Sequence, residues 1–176
     1  MKRTCLALSI AAFLAFVAAV QADENRLVNP GFENGDLTGW TTFGFGWRIG
    51  TGDHANTGTK GLYATDDLES EADVWRGVYQ DVKVTPRESY SAGVRIRAGD
   101  VRYSSAWLEI NWTDDNGHVI HQLQSRHVTR DQRFTLANFK KVRAPAGATR
   151  ASIRGIFYMP AKPRHDNAVF SFDDFY

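Results

Sequence analysis

Alternation of apolar and polar residues dominates the chain beyond its first two dozen positions. It is clearest in residues 90–98, 106–113 and 151–158, where nearly every second side chain is apolar. Because successive side chains of a β-strand point to opposite faces, each stretch predicts a strand with one apolar and one mixed face. Shorter runs around residues 78–84 and 139–142 predict further strands. No helical stripe of useful length follows residue 22, so the pattern predicts an all-β fold.

Turn-forming residues separate these predicted strands. Residues 114–117 read Asp-Asp-Asn-Gly, which predicts a hairpin that leads into a strand through Val119 and Ile120. Proline-containing turns are predicted at residues 85–88 and 144–147, and a long loop at residues 160–167. Short strands at this spacing are typical of a β-sandwich.

The first 22 residues predict a signal peptide. Lys2 and Arg3 precede an apolar run over residues 6–20, and residues 20–22 have the small-residue spacing of a cleavage site. The run is shorter than the ~20 apolar residues that a membrane-spanning helix needs, and a retained anchor is the alternative. We expect cleavage to leave one domain, residues 23–176, that is secreted or periplasmic.

Charge content indicates which partners the mature chain can bind, and cysteine content indicates what can stabilise its fold. Without Lys2 and Arg3, the mature chain has 19 basic and 20 acidic residues. This near-neutral balance argues against nucleic acid or an anionic membrane as the main partner, and we expect a monomer without membrane insertion. The single cysteine, Cys5, lies within the signal peptide, so we expect the mature domain to contain no disulfide. A metal bound only by the folded state would stabilise the domain instead.

Two segments near opposite ends of the mature chain place carboxylates beside aromatic residues. Residues 29–33 read Asn-Pro-Gly-Phe-Glu, and residues 170–175 read Phe-Ser-Phe-Asp-Asp-Phe. If the two ends of the domain lie side by side, Glu33 and Asp173 can meet at one hard cation, for which calcium is the expected identity. The alternative is a pair of solvated carboxylates that cap turns.

The mixed faces of the predicted strands carry an unusual combination of aromatic, arginine, glutamate and asparagine side chains. The residues concerned are Trp75, Tyr79, Arg95, Arg97, Trp107, Glu109, Asn111, Arg154 and Tyr158. One face of a pyranose ring is lined by C–H groups that stack on aromatic rings, and its hydroxyls need polar partners that fix orientation. The combination therefore predicts a sugar-binding face. The alternative is that Trp107 and Tyr79 pack beneath loops.

The order of short motifs over nearly the whole mature chain resembles the CenC-type carbohydrate-binding modules. The matching positions are residues 27–33, Trp40, and residues 54–62, 77–82, 89–95 and 172–174. The resemblance implies a galactose-binding-like jelly-roll β-sandwich of two antiparallel sheets, with glycan bound on a concave sheet. Such modules usually accompany glycoside hydrolases, and this sequence shows no catalytic domain.

The resemblance also implies a calcium site near the paired ends. The matching ligands are the Gly31 carbonyl, the Glu33 carboxylate, a backbone carbonyl near Lys60 and the Asp173 carboxylate. A further side-chain ligand from residues 53–57 is expected, and the sequence does not select which one.

Catalysis fits the sequence less well than binding does. A glycosidase needs two carboxylates that face each other across a cleft, which adjacent pairs such as Asp173 and Asp174 cannot provide. We therefore expect a non-catalytic protein that binds polysaccharide. A protein-interaction or adhesion module on the same fold is the second hypothesis. The third hypothesis is a jelly-roll lyase or hydrolase. The candidate catalytic residues of a lyase would be Tyr79, Arg95 and His121.

Overall fold

The computed structural model describes residues 24–66, 70–162 and 166–176. The predicted signal peptide lies outside these residues. Within them the chain forms ten strands and one short 3-10 helix. The elements are β1 (Thr41–Phe43), β2 (Arg48–Gly50), the 3-10 helix (Gly52–His54), β3 (Gly61–Thr65), β4 (Val74–Lys83), β5 (Ser89–Gly99), β6 (Ser105–Thr113), β7 (Val119–Gln124), β8 (Gln132–Arg143), β9 (Arg150–Met159) and β10 (Val169–Asp173). In the described part of the chain, no helix is long and apolar enough to span a bilayer.

The strands form two antiparallel sheets of five strands each. Sheet A has the order β1-β4-β9-β6-β7, and sheet B has the order β2-β3-β10-β5-β8. In sheet A, β4 and β9 pair along their whole lengths, from Val74 opposite Met159 to Lys83 opposite Arg150. The predicted fold class, a jelly-roll β-sandwich of two antiparallel sheets, is confirmed.

The core lies between the two sheets and is built from the apolar faces that the alternation predicts. Each sheet contributes several side chains with almost no exposed surface. They are Val78, Leu108, Ile110, Trp112 and Phe157 from sheet A, and Leu62, Val94, Ile96, Phe170 and Phe172 from sheet B. Because these residues alternate with the mixed positions, the mixed faces of both sheets point away from the core.

The two ends of the domain lie side by side, as the sequence predicts. The Phe175 N–H donates to the Pro30 carbonyl at 3.0 Å, and Asn25 Nδ2 donates to the Phe175 carbonyl at 2.7 Å. The rings of Phe32, Trp40 and Phe175 pack together with centroid distances of 4.6–6.1 Å. This aromatic cluster fastens the amino-terminal segment to the last residues of the chain.

Candidate functional site

Seven of the nine predicted sugar-binding residues lie on the outer face of sheet A. Their places follow from strand register, because directly paired residues share a face. They are Trp75 and Tyr79 of β4, Arg154 and Tyr158 of β9, and Trp107, Glu109 and Asn111 of β6. The structure therefore brings together side chains from three strands that are far apart in sequence.

Arg95 and Arg97 do not join this group. Both lie on β5 in sheet B, where they pair with Asp173 and Ser171 of β10. Their neighbours along the strand face the core, so the two arginines point outward on the opposite side of the sandwich. The prediction that they share a face with Trp107 is wrong, and the imagined lyase set of Tyr79, Arg95 and His121 is separated for the same reason.

A row of polar side chains crosses all five strands of sheet A. The residues of this polar row are paired in order across the sheet: Thr41, Tyr79, Arg154, Glu109 and Gln124. At ~4.8 Å between neighbouring strands, the row is about 19 Å long. An extended ligand laid across the strands would meet each of these side chains in turn.

Glu109 is the fixed centre of the polar row. Its side chain is buried, and Oε2 accepts from Gln124 Nε2 at 3.0 Å and from Trp107 Nε1 at 3.4 Å. The other oxygen, Oε1, lies 3.8 Å from the Arg154 guanidinium, which in turn lies 5.2 Å from the centre of the Tyr79 ring. These contacts hold the groups in place before any ligand arrives, which lowers the entropy cost of binding.

An exposed aromatic pair lies on the same face as the polar row, four residues along the strands from Tyr79 and Arg154. Trp75 keeps 53% of its surface exposed, and its ring centre lies 5.2 Å from that of Tyr158. The Tyr158 hydroxyl donates to Asp73 Oδ2 at 3.0 Å, which fixes the tyrosine ring beneath the tryptophan edge. Trp75 therefore presents a large rigid apolar surface to solvent on the same face as the polar row.

Trp107 is covered, and the prediction that it offers an exposed ring is wrong. It retains only 4% of its surface, because the His127 ring stacks on it at 4.1 Å with an interplanar angle of 6°. The segment after β7 places His127 there, since Val128 pairs with Ala106 next to Trp107. Partial burial lowers the pKa of His127, which favours its neutral form, while the nearby Glu109 charge opposes this as a smaller contribution. Asn111 is also buried, at 5% exposure.

The outer face of sheet A contains side chains that the sequence analysis did not select. Gln124 and Thr41 complete the polar row. The His127 ring covers Trp107, and the Phe43 ring covers Gly77. A Cβ atom on Gly77 would lie 2.2 Å from Phe43 Cε1, so the phenylalanine ring rests directly on this glycine. The run over residues 119–124 could have indicated Gln124, since the predicted hairpin places it near Glu109.

The predicted calcium ligands lie near one another at the joined ends. A Cβ atom on Gly31 would lie 3.3 Å from Asp173 Oδ1 and 4.0 Å from Glu33 Cγ. Asp173 is fully buried, and its oxygens accept from the backbone N–H groups of Asn56, Thr57 and Asp174 at 2.6–3.1 Å. The loop over residues 56–60 therefore wraps around this carboxylate.

The same loop also holds Glu33. Its two oxygens accept from the backbone N–H groups of Thr59 and Lys60 at 2.8–3.1 Å, and the Lys60 hydrogen bond is the main cause of its lowered pKa. Lys60 Nζ donates to the Glu33 carbonyl at 3.1 Å. Among the described residues, no group of three or more histidine, cysteine or acidic side chains is arranged to hold a metal. A calcium ion here would therefore need backbone oxygens in addition to carboxylates.

The Asp173 carboxyl is buried next to a second acidic residue, Asp174. Burial, with the nearby charge of Asp174 as a smaller contribution, raises its pKa to about 6 despite three N–H donors. The Asp174 carboxylate accepts from the side chains of Asn56 and Thr57. A divalent ion bound by Asp173 would compensate its buried charge, so the charge arrangement fits calcium although the side-chain donors are few.

Comparison with known proteins shows the fold but no family. No protein-family model matches this chain, and no curated protein matches it. Solved structures do resemble it. The carbohydrate-binding module TmCBM61, in complex with β-1,4-galactotriose, is 18% identical with a TM-score of 0.62, over 87% of this chain and 97% of that chain. The CenC-type assignment stays a prediction.

Two further solved structures extend the comparison. A family 16 carbohydrate-binding module is 21% identical, with a TM-score of 0.57, over 86% of this chain and 98% of that chain. The enzymatically active domain of tailspike protein 4 from bacteriophage CBA120 is 12% identical, with a TM-score of 0.66. That likeness spans 86% of this chain and 21% of the tailspike chain. These similarities establish the β-sandwich architecture.

Proposed function

We propose that this protein is a secreted, non-catalytic module that binds polysaccharide on the outer face of sheet A. The observation that carries the proposal is that one sheet face carries both the polar row and, about 13 Å along β4 from it, the exposed ring of Trp75. A sugar chain needs both an apolar ring surface and a series of fixed hydrogen-bonding groups. The solved carbohydrate-binding module of this fold in complex with β-1,4-galactotriose supports the same reading.

Each side chain on the face has a separate role in this proposal. Trp75 stacks on a sugar ring, with Tyr158 supporting it from the side at 5.2 Å. Arg154 and Gln124 have N–H groups, and the Gln124 carbonyl and the Tyr79 hydroxyl can accept, so the polar row offers both donors and acceptors to sugar hydroxyls. The buried Glu109 carboxylate holds Gln124 and Arg154 in position. Trp107 acts beneath the surface, where its Nε1 group helps to hold the Glu109 carboxylate.

The position of the acids supports binding without catalysis. Asp81 shares the outer face with Glu109, but it lies two strands away and one pair further along, opposite Ser152. With strands ~4.8 Å apart, the two backbones are separated by about 12 Å. Carboxyl groups that cleave glycosidic bonds face each other across the bond, about 5–9.5 Å apart, whereas Asp81 and Glu109 stand on one sheet face and point the same way. Glu109 is also held by Gln124 and Trp107 rather than directed into an open cleft.

We further propose that calcium stabilises the joined ends of the domain. Asp173, Glu33 and the Gly31 carbonyl would hold it, with a backbone oxygen near Lys60. Support comes from the convergence of these residues and from the raised pKa of the buried Asp173 carboxyl. The ion would bind the folded state and not the unfolded chain, and would therefore add stability without taking part in sugar binding.

Replacing Trp75 by alanine tests the proposed sugar-binding face. We expect polysaccharide affinity to fall about 10- to 100-fold, as for a central aromatic contact worth about 1.4–2.8 kcal/mol. Because Trp75 is exposed, the melting temperature should change little. Affinity electrophoresis through gels that contain galactan, xylan or other neutral polysaccharides measures the change, after an oligosaccharide array has selected the ligands.

Tyr176 provides the control for this experiment. It is 38% exposed, and its ring rests on Gly93 of β5 in sheet B, on the opposite side of the sandwich. Tyr176→Ala should leave retention unchanged. Equal retention of the Trp75→Ala variant and the natural protein in every gel would show that sugar does not bind on this face. Product release from any of these polysaccharides would contradict the non-catalytic role.

A further inference from the structure

A cleft of about 560 Å³ lies where the open edges of the two sheets meet. Strand β7 is the last strand of sheet A, and β8 is the last strand of sheet B. The cleft is bounded by Gln124 and the segment after it on one side, and by β8 on the other. Its lining includes Arg126, His127, Arg130, Asn138 and Phe139. This is a concave site lined by both polar and apolar side chains, and its lining does not include the aromatic pair at Trp75.

The charge around the cleft is strongly positive. Residues 124–143 contain six arginine and lysine residues and a single acid, Asp131. The Asp131 carboxylate accepts from the Val101 N–H at 2.8 Å, and Asp131 does not line the cleft. Arg126 and Arg130 therefore face the cleft without an acidic side chain in its lining. This local excess contrasts with the near-neutral balance of the whole chain, whose formal net charge is +1.

The cleft is continuous with the proposed sugar-binding face. Gln124 lines the cleft and is also the last residue of the polar row, where it donates to Glu109 at 3.0 Å. His127 lines the cleft and stacks on Trp107 of the same face. A chain that follows the polar row from β1 to β7 would leave the sheet at this cleft.

We infer that the β7–β8 cleft binds an anionic substituent of the polysaccharide, a uronate carboxylate or a sulfate ester. The inference rests on the proposed function and specifies the ligand class of its last subsite. Both substituents present planar or trigonal sets of oxygens that match the forked donors of arginine. Because the two arginines are exposed, their contribution falls as salt screens the charges.

Two pairs of polymers isolate the anionic group. Pectate is compared with its fully methyl-esterified form, and dextran sulfate is compared with dextran. Within each pair the backbone is the same and the charge differs. We expect binding at least 10-fold tighter for the charged member of one pair, measured by calorimetry or affinity electrophoresis at low salt. The pair that shows the difference identifies carboxylate or sulfate as the recognised group.

Two double variants that each remove two positive charges distinguish binding in the cleft from general electrostatic attraction to the protein. Arg126→Gln with Arg130→Gln removes two charges that line the cleft. Lys140→Gln with Lys141→Gln removes two exposed charges from the same region, outside the lining. The first variant should lose most of the preference for the charged polymer, and the second should keep it.

The outcomes are distinct for the two proposals. Equal losses in both double variants, or no preference for either charged polymer, would overturn the cleft inference. In that case Trp75→Ala would still weaken neutral polysaccharide binding if the outer face of sheet A is the binding face. Loss of the charge preference in the arginine variant, with neutral binding retained, would support both.

Discussion

Replacing Phe172 by alanine lowers the free energy of unfolding by about 3–5 kcal/mol. Phe172 is fully buried in β10 and packs against Trp47 and Phe175. It also reaches across the sandwich, since a Cβ atom on Gly155 of sheet A would lie 2.9 Å from Phe172 Cδ1. Removing the ring leaves a cavity where the two sheets and the chain ends meet. For a domain of this size, the melting temperature should fall by about 10 °C.

Urea unfolding followed by tryptophan fluorescence measures this loss. Val119→Ala is the control, because Val119 is 54% exposed on β7 and its truncation should cost less than about 0.5 kcal/mol. A Phe172 variant as stable as this control would mean that the carboxy-terminal strand does not hold the sheets together.

In the absence of calcium, the contribution of Asp173 to stability falls as the pH rises from about 4 to about 6. The Asp173 pKa is raised from its ordinary value of 3.8 to about 6 in the folded protein. Between these values the unfolded chain releases the Asp173 proton while the folded protein keeps it. Ionisation therefore favours unfolding, and the loss levels off above pH 6. The difference between the folded and unfolded pKa values corresponds to a loss of about 3 kcal/mol in the free energy of unfolding above pH 6.

The measurement is the free energy of unfolding in chelator across this pH range. Asp173→Asn removes the titrating group, so its stability profile should lack this component, whatever the absolute stability of the variant. Identical profiles for the variant and the natural protein would contradict the assignment to Asp173.

Calcium should reverse this pH dependence. The ion binds the ionised carboxylate, so the stability gained from millimolar calcium should be greatest above pH 6 and small near pH 4. Magnesium at the same concentration is the control, since it prefers a rigid six-oxygen site with retained waters. A melting temperature that calcium leaves unchanged at pH 7 would refute the metal proposal and leave the pH prediction intact.

The alternation of side chains was sufficient to predict the fold class and which face of each strand meets the core. Val78 and Phe157 face inward, and Trp75 and Tyr158 face outward, as the period of two requires. The aromatic and acidic motifs also indicated correctly that residues 29–33 and 170–175 are neighbours. These features are local, or depend only on the two ends of the chain meeting.

Local alternation could not predict which sheet each strand joins, or which outward-pointing side chains are covered by a neighbouring segment. Arg95 and Trp107 have the same local pattern, yet β5 belongs to sheet B and β6 to sheet A. That choice depends on long-range pairing, which no short stretch of sequence specifies. The burial of Trp107 depends on where the segment after β7 returns, and Val128 sets this through its pairing with Ala106.

The free edge of β8 also affects how molecules of this protein meet one another. A twelve-residue edge strand offers unpaired backbone groups to which a second copy could add a strand. Arg133, Lys140 and Lys141 are exposed along it, and Lys141 has a left-handed backbone with a φ of 52° where the pairing with β5 is irregular. Like charges and a local bulge thus oppose edge-to-edge aggregation, so the protein should stay dispersed at high concentration.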